Sequence, residues 1–447
     1  MSEHPVRLVV GDDLVRDRLT VFFRWLLSIP HFIWLALWSF VALFAAIANW
    51  IATLALGRSP SALHRFLAAY VKFVTQFYAY LHLAANPYPP FKGQAGYPID
   101  VAIEPPARQG RLSVALRGIL FLPAVLLLAT LVGGPSVGFS SRRYSSFTSD
   151  VGLLHVVGLL GWFAIMARGR MPRGLRDAAA YSISYGAQFW AYALLLTDRY
   201  PNSDPVAALA DLPVRDDPIR LELDDELRRS RLTVLFRLLL AIPHLIWLAL
   251  WGVVVLPSAL VSWFATLLTG RSPAALHRFL AAYLRYEFHV LAFLYLAANP
   301  FPGFVGRAGS YPFEIVLADR AGQNRWKVGF RAILAIPALI LSSAYGSLVA
   351  SAALLGWFAG LATAKMPRGL RNAAALALRY HAQTTGYLLL LTDSYPYSGP
   401  SLNATAATTA PAPLEPPPLE PVPFQPPPQP PLPPAPGLSA PPPSSAS

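Results

Sequence analysis

The chain contains no cysteine. Disulfides, thiol nucleophiles and cysteine-ligated zinc are therefore excluded. Charge is scarce too: Asp, Glu, Lys and Arg make up 13% of the 447 residues, against about 25% in a typical soluble domain. With 55% hydrophobic residues and a mean hydropathy of +0.44, much of the surface must face lipid. Acidic residues number 23 against 36 basic ones, a net charge of +13. The basic residues cluster at the ends of apolar runs, where lipid headgroups would meet them. No basic stripe with interleaved aromatics lies outside those runs, so no nucleic-acid partner is expected. Enzyme motifs are also missing: there is no glycine-rich phosphate loop, GxSxG, HExxH or intramembrane carboxylate pair. Asp150 and Glu287 are isolated acids near apolar segments. No catalytic residue, cofactor or metal is expected. The opening Met1-Ser2-Glu3-His4-Pro5 lacks a basic region leading into an apolar one, so the first apolar run is expected to insert and stay.

What the chain has is repetition. Residues 6–38 return as 219–251, with Arg24, Pro30, His31, Trp34 and Trp38 matched by Arg237, Pro243, His244, Trp247 and Trp251. Gly57-Arg58-Ser59-Pro60 returns as Gly270-Arg271-Ser272-Pro273. A finer repeat of Trp, basic residue, Pro and Leu occurs at Trp50/Arg58/Pro60/Leu63, Trp162/Arg170/Pro172/Leu175, Trp263/Arg271/Pro273/Leu276 and Trp357/Lys365/Pro367/Leu370. Upstream of each is an Arg six residues before a Pro (Arg24, Arg117, Arg237, Arg331), and downstream an Asn or Asp begins an aromatic-Pro closure (Asn86, Asp198, Asn299, Asp393). This predicts two tandem copies of a two-unit module. The units are 1–95 and 96–201, a linker 202–218, then units 219–303 and 304–397, followed by a disordered Pro-rich tail 398–447.

The fold class expected is an α-helical membrane protein with short juxtamembrane β-strands. Each unit opens on an alternating segment (6–10, 99–104, 219–223, 313–317), which suits a strand with one buried face. The uncharged stretch that follows would make a straight helix roughly 50 Å long, against about 30 Å of hydrocarbon. Pro257, Gly346 and the polar insert 135–150 with Arg142 and Arg143 favour a hairpin of two short segments. The last helix of each unit carries a polar-aromatic stripe, with Lys72, Ser184, Arg285 and Arg379 one step before it. A charge at mid-span costs about 2.5–3.5 kcal/mol, so these helices should lie in the interface or pack inside a bundle. If all four basic-Pro motifs share the cytoplasmic side, each unit crosses an even number of times. That gives about eight spanning or near-spanning segments, a multi-pass plasma-membrane protein and cytoplasmic termini.

Arg58, Arg170, Arg271 and Lys365 are candidate topology anchors or anionic-lipid contacts. His31 with His244, and His64 with His277, are matched pairs that could bind metal or relay protons. No carboxylate recurs beside them, which favours helix capping or headgroup contact. The repeated Trp residues suit an aromatic belt. Anionic lipid headgroups are the expected partners, and the Pro-rich tail could dock a protein. The opening Val-Arg-Leu-x-Val, the Arg24–His31 pattern and Gly57-Arg58-Ser59-Pro60 together resemble a bacterial membrane family known only as a domain of unknown function, present as two copies. The resemblance implies a bacterial plasma membrane and supplies no substrate or catalytic residue. The function expected is structural, scaffolding or lipid-engaging; a transporter or channel with its pathway between repeats is the alternative.

Overall fold

The computed structural model describes residues 4–133, 151–209, 212–223 and 226–403. The first segment contains β1 (Val6–Val10), α1 (Arg18–Phe22), α2 (Arg24–Leu27), α3 (Ile29–Leu56) and α4 (Ser61–Leu81). The second contains β2 (Ile99–Ile103), α5 (Arg111–Ala115), α6 (Arg117–Leu120), α7 (Leu122–Leu131), α8 (Gly152–Arg168) and α9 (Arg173–Ala193). After α10 (Pro205–Ala208) and β3 (Val214–Arg215), the third runs β4 (Ile219–Leu223), α11 (Arg231–Leu235), α12 (Arg237–Thr269) and α13 (Ala274–Leu294). The last comprises β5 (Phe313–Leu317), α14 (Arg325–Gly329), α15 (Arg331–Thr363), α16 (Arg368–Leu388) and β6 (Leu402–Asn403).

All four alternating segments are strands, and they pair across segments. Val6 faces Ile103 and Val10 faces Ile99 in an antiparallel ribbon; Ile219 and Leu317 begin the matching one. Val6 and Leu8 point inward while Arg7 and Val9 are exposed, as a period of two requires. β1 packs on α9 and β2 on α4, so each ribbon rests across the last helices of two segments.

Three helices, Arg24–Leu56, Arg237–Thr269 and Arg331–Thr363, are each 33 residues long and apolar enough to cross a membrane. The protein is mostly helical with short strands, as expected, but the apolar hairpins are not found: these stretches run through. Pro243 and Pro257 are accommodated inside α12 and Pro337 inside α15, and Gly346 alone costs a helix only about 1 kcal/mol. The second segment carries the same helix with an insertion. Arg117 lies 214 positions before Arg331 but Trp162 only 195 before Trp357, so about 19 residues have been added between α7 and α8. The two ends of the insertion meet: a Cβ on Gly152 would fall 2.3 Å from the Gly133 nitrogen, and both glycines adopt positive φ. α15 packs along both α7 and α8, joining the two halves of the chain. The rest of the insert, 134–150, lies outside the described residues, as does the Pro-rich tail from 404. Residues 398–401, expected to open that tail, are instead packed: Ser398 accepts from buried Tyr345, and Arg379 donates to the carbonyl of Gly399.

Candidate functional site

The repeat motifs are first of all joints. Each long helix ends on a left-handed residue, Gly57, Gly169, Gly270 or Ala364, the usual way to stop a helix. The carbonyl there accepts a backbone N–H from the neighbouring segment. Gln109 donates to Gly57 at 2.9 Å, Arg16 to Gly169 at 3.2 Å, Gln323 to Gly270 at 2.8 Å and Arg229 to Ala364 at 2.9 Å. The tryptophan of the motif reinforces the same joint. Trp50, Trp263 and Trp357 donate their indole N–H to the carbonyls of Val114, Val328 and Val234 at 2.8–3.1 Å. The aromatic-belt reading missed this bond, which needs the partner segment to be visible.

A second joint closes each last helix. Leu83, Leu195, Leu296 and Leu390 adopt φ of 60–65° just past its end, a conformation that ordinarily costs an L-residue about 1–2 kcal/mol. A buried Arg spans the bend. Arg24 donates to the carbonyls of Tyr80 and Ala85 at 2.7 and 3.0 Å, and lies 4.2 Å from the Tyr80 ring centroid. Arg237 does the same with Phe293 and Ala298, and Arg331 with Tyr387 and Thr392. Arg117 reaches Thr197 and stacks over Tyr192. Eight residues earlier, Arg16, Gln109, Arg229 and Gln323 donate to the left-handed leucines themselves. The Arg-to-Pro repeat visible in the sequence therefore marks a helix cap.

The polar stripe on each last helix holds the ribbon. Lys72 pairs with Asp100 at 3.2 Å and Arg285 with Glu314 at 3.1 Å. Gln76 donates to Asp100, Gln188 to the Val6 carbonyl and Gln383 to that of Ile219; His289 meets Glu314 at 3.1 Å. Outside the helices, burial pushes the Tyr200 and Tyr395 phenols up to about 12, and hydrogen bonds to Asp217 raise the Arg215 guanidinium.

The side chains of Arg58, Arg170, Arg271 and Lys365 are exposed, which leaves them available to anionic headgroups. The histidines are not brought together. His31 bonds the Pro89 carbonyl at 2.8 Å and stacks on Phe91. His244 meets the Tyr286 hydroxyl at 2.7 Å and stacks on Phe304. Both pin a proline-rich loop to a long helix. His64 faces the Leu196 carbonyl at 3.3 Å, whereas His277 lines a cavity. Among the described residues no three His, Cys, Asp or Glu are grouped to hold a metal ion. Glu287, isolated in the sequence, pairs with His381 of α16 at 3.2 Å.

Long apolar helices joined by a repeated capping motif define a helical membrane protein. The chain belongs to the family described as "Domain of unknown function (DUF4389)", which it matches three times, at residues 18–92, 231–305 and 325–398. One copy of the family is thus a single segment of some 75 residues, so the two copies implied by resemblance become three matches. The segment carrying the insertion is not among them. No curated protein and no solved structure matches the chain.

Proposed function

We propose that this is a membrane-organising protein that lies in one leaflet and engages anionic headgroups through its basic side chains. One observation carries the reading: polar chain crosses the middle of the last helices. Lys72 and Gln76, which bind the ribbon, sit about midway and three-quarters along α4. Gly93, between exposed Lys92 and Gln94, lies so close to Ala69 and Phe73 that a Cβ would come within 2.8 Å of their backbone. α13 repeats this with Gly306 against Ala282 and Tyr286. Were α4 to span the bilayer, this polar layer would sit in hydrocarbon, where unsatisfied backbone groups are not tolerated.

α3 follows α4. His31 stacks with Phe73 and Phe77, Trp38 touches Phe66, Tyr70 and Phe73, and Asn49 bonds Ser59. Contacts that advance along one helix while retreating along the other make the two antiparallel neighbours, so α3 takes the same tilt to the membrane as α4. A helix is about 10–12 Å across, which fits half of a roughly 30 Å core. The insert leaving the second segment between α7 and α8 agrees, since a spanning helix would put both of its described ends, Gly133 and Gly152, at mid-bilayer. Such a wedge displaces lipid on one side only.

Reconstitution tests the reading. Purified full-length protein added at rising protein-to-lipid ratio should tubulate or shrink vesicles without releasing trapped solute. Solute flux across vesicles of unchanged shape would favour a transport pathway instead.

A further inference from the structure

We propose a phosphate-binding site in the second half of the chain, at the N-terminus of α13. This deepens the headgroup reading above and rests on it only in taking a lipid as one source of the phosphate. A cavity of about 480 Å³ opens beside the first turns of this 21-residue helix. It is lined by His277, Arg278 and Arg285 from the helix and by Asp319 and Arg320 from the loop after β5. Three features converge. The helix N-terminus offers unsatisfied N–H groups and the positive end of the dipole. Three arginines face one acid, and Arg285 is already partnered by Glu314. His277 is nine-tenths buried and lines the cavity, and neither of its ring nitrogens is hydrogen-bonded among the described residues.

An anion supplies what these groups lack. A phosphate oxygen can take the His277 N–H and the guanidinium N–H groups of Arg278 and Arg320, and charge-assisted bonds of this kind are the strong ones. Arg320 is anchored at the start of the helix, donating to the Ser272 carbonyl at 2.8 Å. Asp319 opposes a second negative charge, so a phosphodiester or monoanion fits better than a dianion. The first half of the chain lacks the arrangement. His64 is satisfied by Leu196, and the position 214 residues before Arg320 is Pro106.

α13 presents Arg285 to the ribbon, and the cavity continues to Leu317 and Ala318 at the ribbon's end. The full-length protein is titrated with inorganic phosphate in detergent at fixed salt. In parallel it is reconstituted in phosphatidylcholine with and without phosphatidylglycerol, and retained lipid is weighed by native mass spectrometry. Arg278→Ala/Arg320→Ala should weaken binding by roughly tenfold, and the charge-matched Arg65→Ala/Arg108→Ala by less than about twofold. Arg278→Glu, on an exposed side chain, serves where the double variant unfolds. Loss confined to the lipid arm assigns a headgroup, and loss confined to the phosphate arm a free phosphate; loss in both assigns the phosphate group itself. Equal loss from both variant pairs, or none, overturns the site. The detergent titration is independent of vesicle shape, so either proposal can fail without the other.

Discussion

α3 and α15 occupy matching places in the repeat, yet they meet different solvents. In Arg24–Leu56 only 11% of the most apolar window is buried, against 39% in Arg331–Thr363. α3 turns Phe40, Leu43, Phe44 and Ile47 outward, each at least half exposed. α15 instead buries a series of small residues, Ala335, Ala338, Ala344, Ala352, Gly356 and Gly360, and it packs on α7, α8 and α16. Lipid accepts any bulky apolar side chain, whereas close helix–helix approach needs small ones. Hydropathy alone is similar for both helices, so the side-chain volume pattern tells the lipid face from the protein face.

The largest effect should come from the buried cap at the start of each helix. Arg331→Met takes a donor from the carbonyls of Tyr387 and Thr392 and from the carboxylate of Asp393, which is left with the half-exposed Lys327. It should cost about 3–5 kcal/mol, seen as a lowered unfolding midpoint in detergent. Arg24→Met, whose side-chain acceptor is the neutral Asn86, should cost about 2–3 kcal/mol; equal losses would remove this distinction. Next, Gly356→Leu in α15 would drive a side chain into Met366, whose sulfur lies 2.5 Å from the place of a Cβ. A loss of about 1–3 kcal/mol is expected, readable by the same thermal scan. Trp263→Phe keeps the ring and loses the bond to Val328, about 1 kcal/mol. The smallest change belongs to the open face: Phe44→Ala, at a side chain 57% exposed, should move the midpoint by less than about 0.5 kcal/mol equivalent. A loss as large as that from Gly356→Leu would mean that the α3 face is covered by protein.

Much of this organisation was legible in the sequence because a repeat displays its own alignment. The four strands, the capping glycines and the polar stripe all stand at fixed offsets. The hairpin expectation fails because Pro257 reads as a break in the sequence, while a long helix absorbs one proline at the loss of a single backbone hydrogen bond. The roles of Arg24 and its three counterparts stayed hidden for another reason. The spacing to Pro30 is local, but the carbonyls that Arg24 binds lie 56 and 61 residues away, and no local pattern names them. His277 shows the same limit: it matches His64 in sequence, and only the loop after β5 makes its surroundings different.

The absence of native cysteine makes the orientation of α3 directly measurable. Leu26→Cys and Leu56→Cys place one exposed thiol just beyond the start of the apolar stretch and one at its end. The full-length variants in sealed vesicles of known protein orientation are treated with a membrane-impermeant maleimide. A helix lying in one leaflet predicts that both thiols react from the same side. Reaction of the two from opposite sides would show that the helix crosses the bilayer and would contradict the arrangement proposed here.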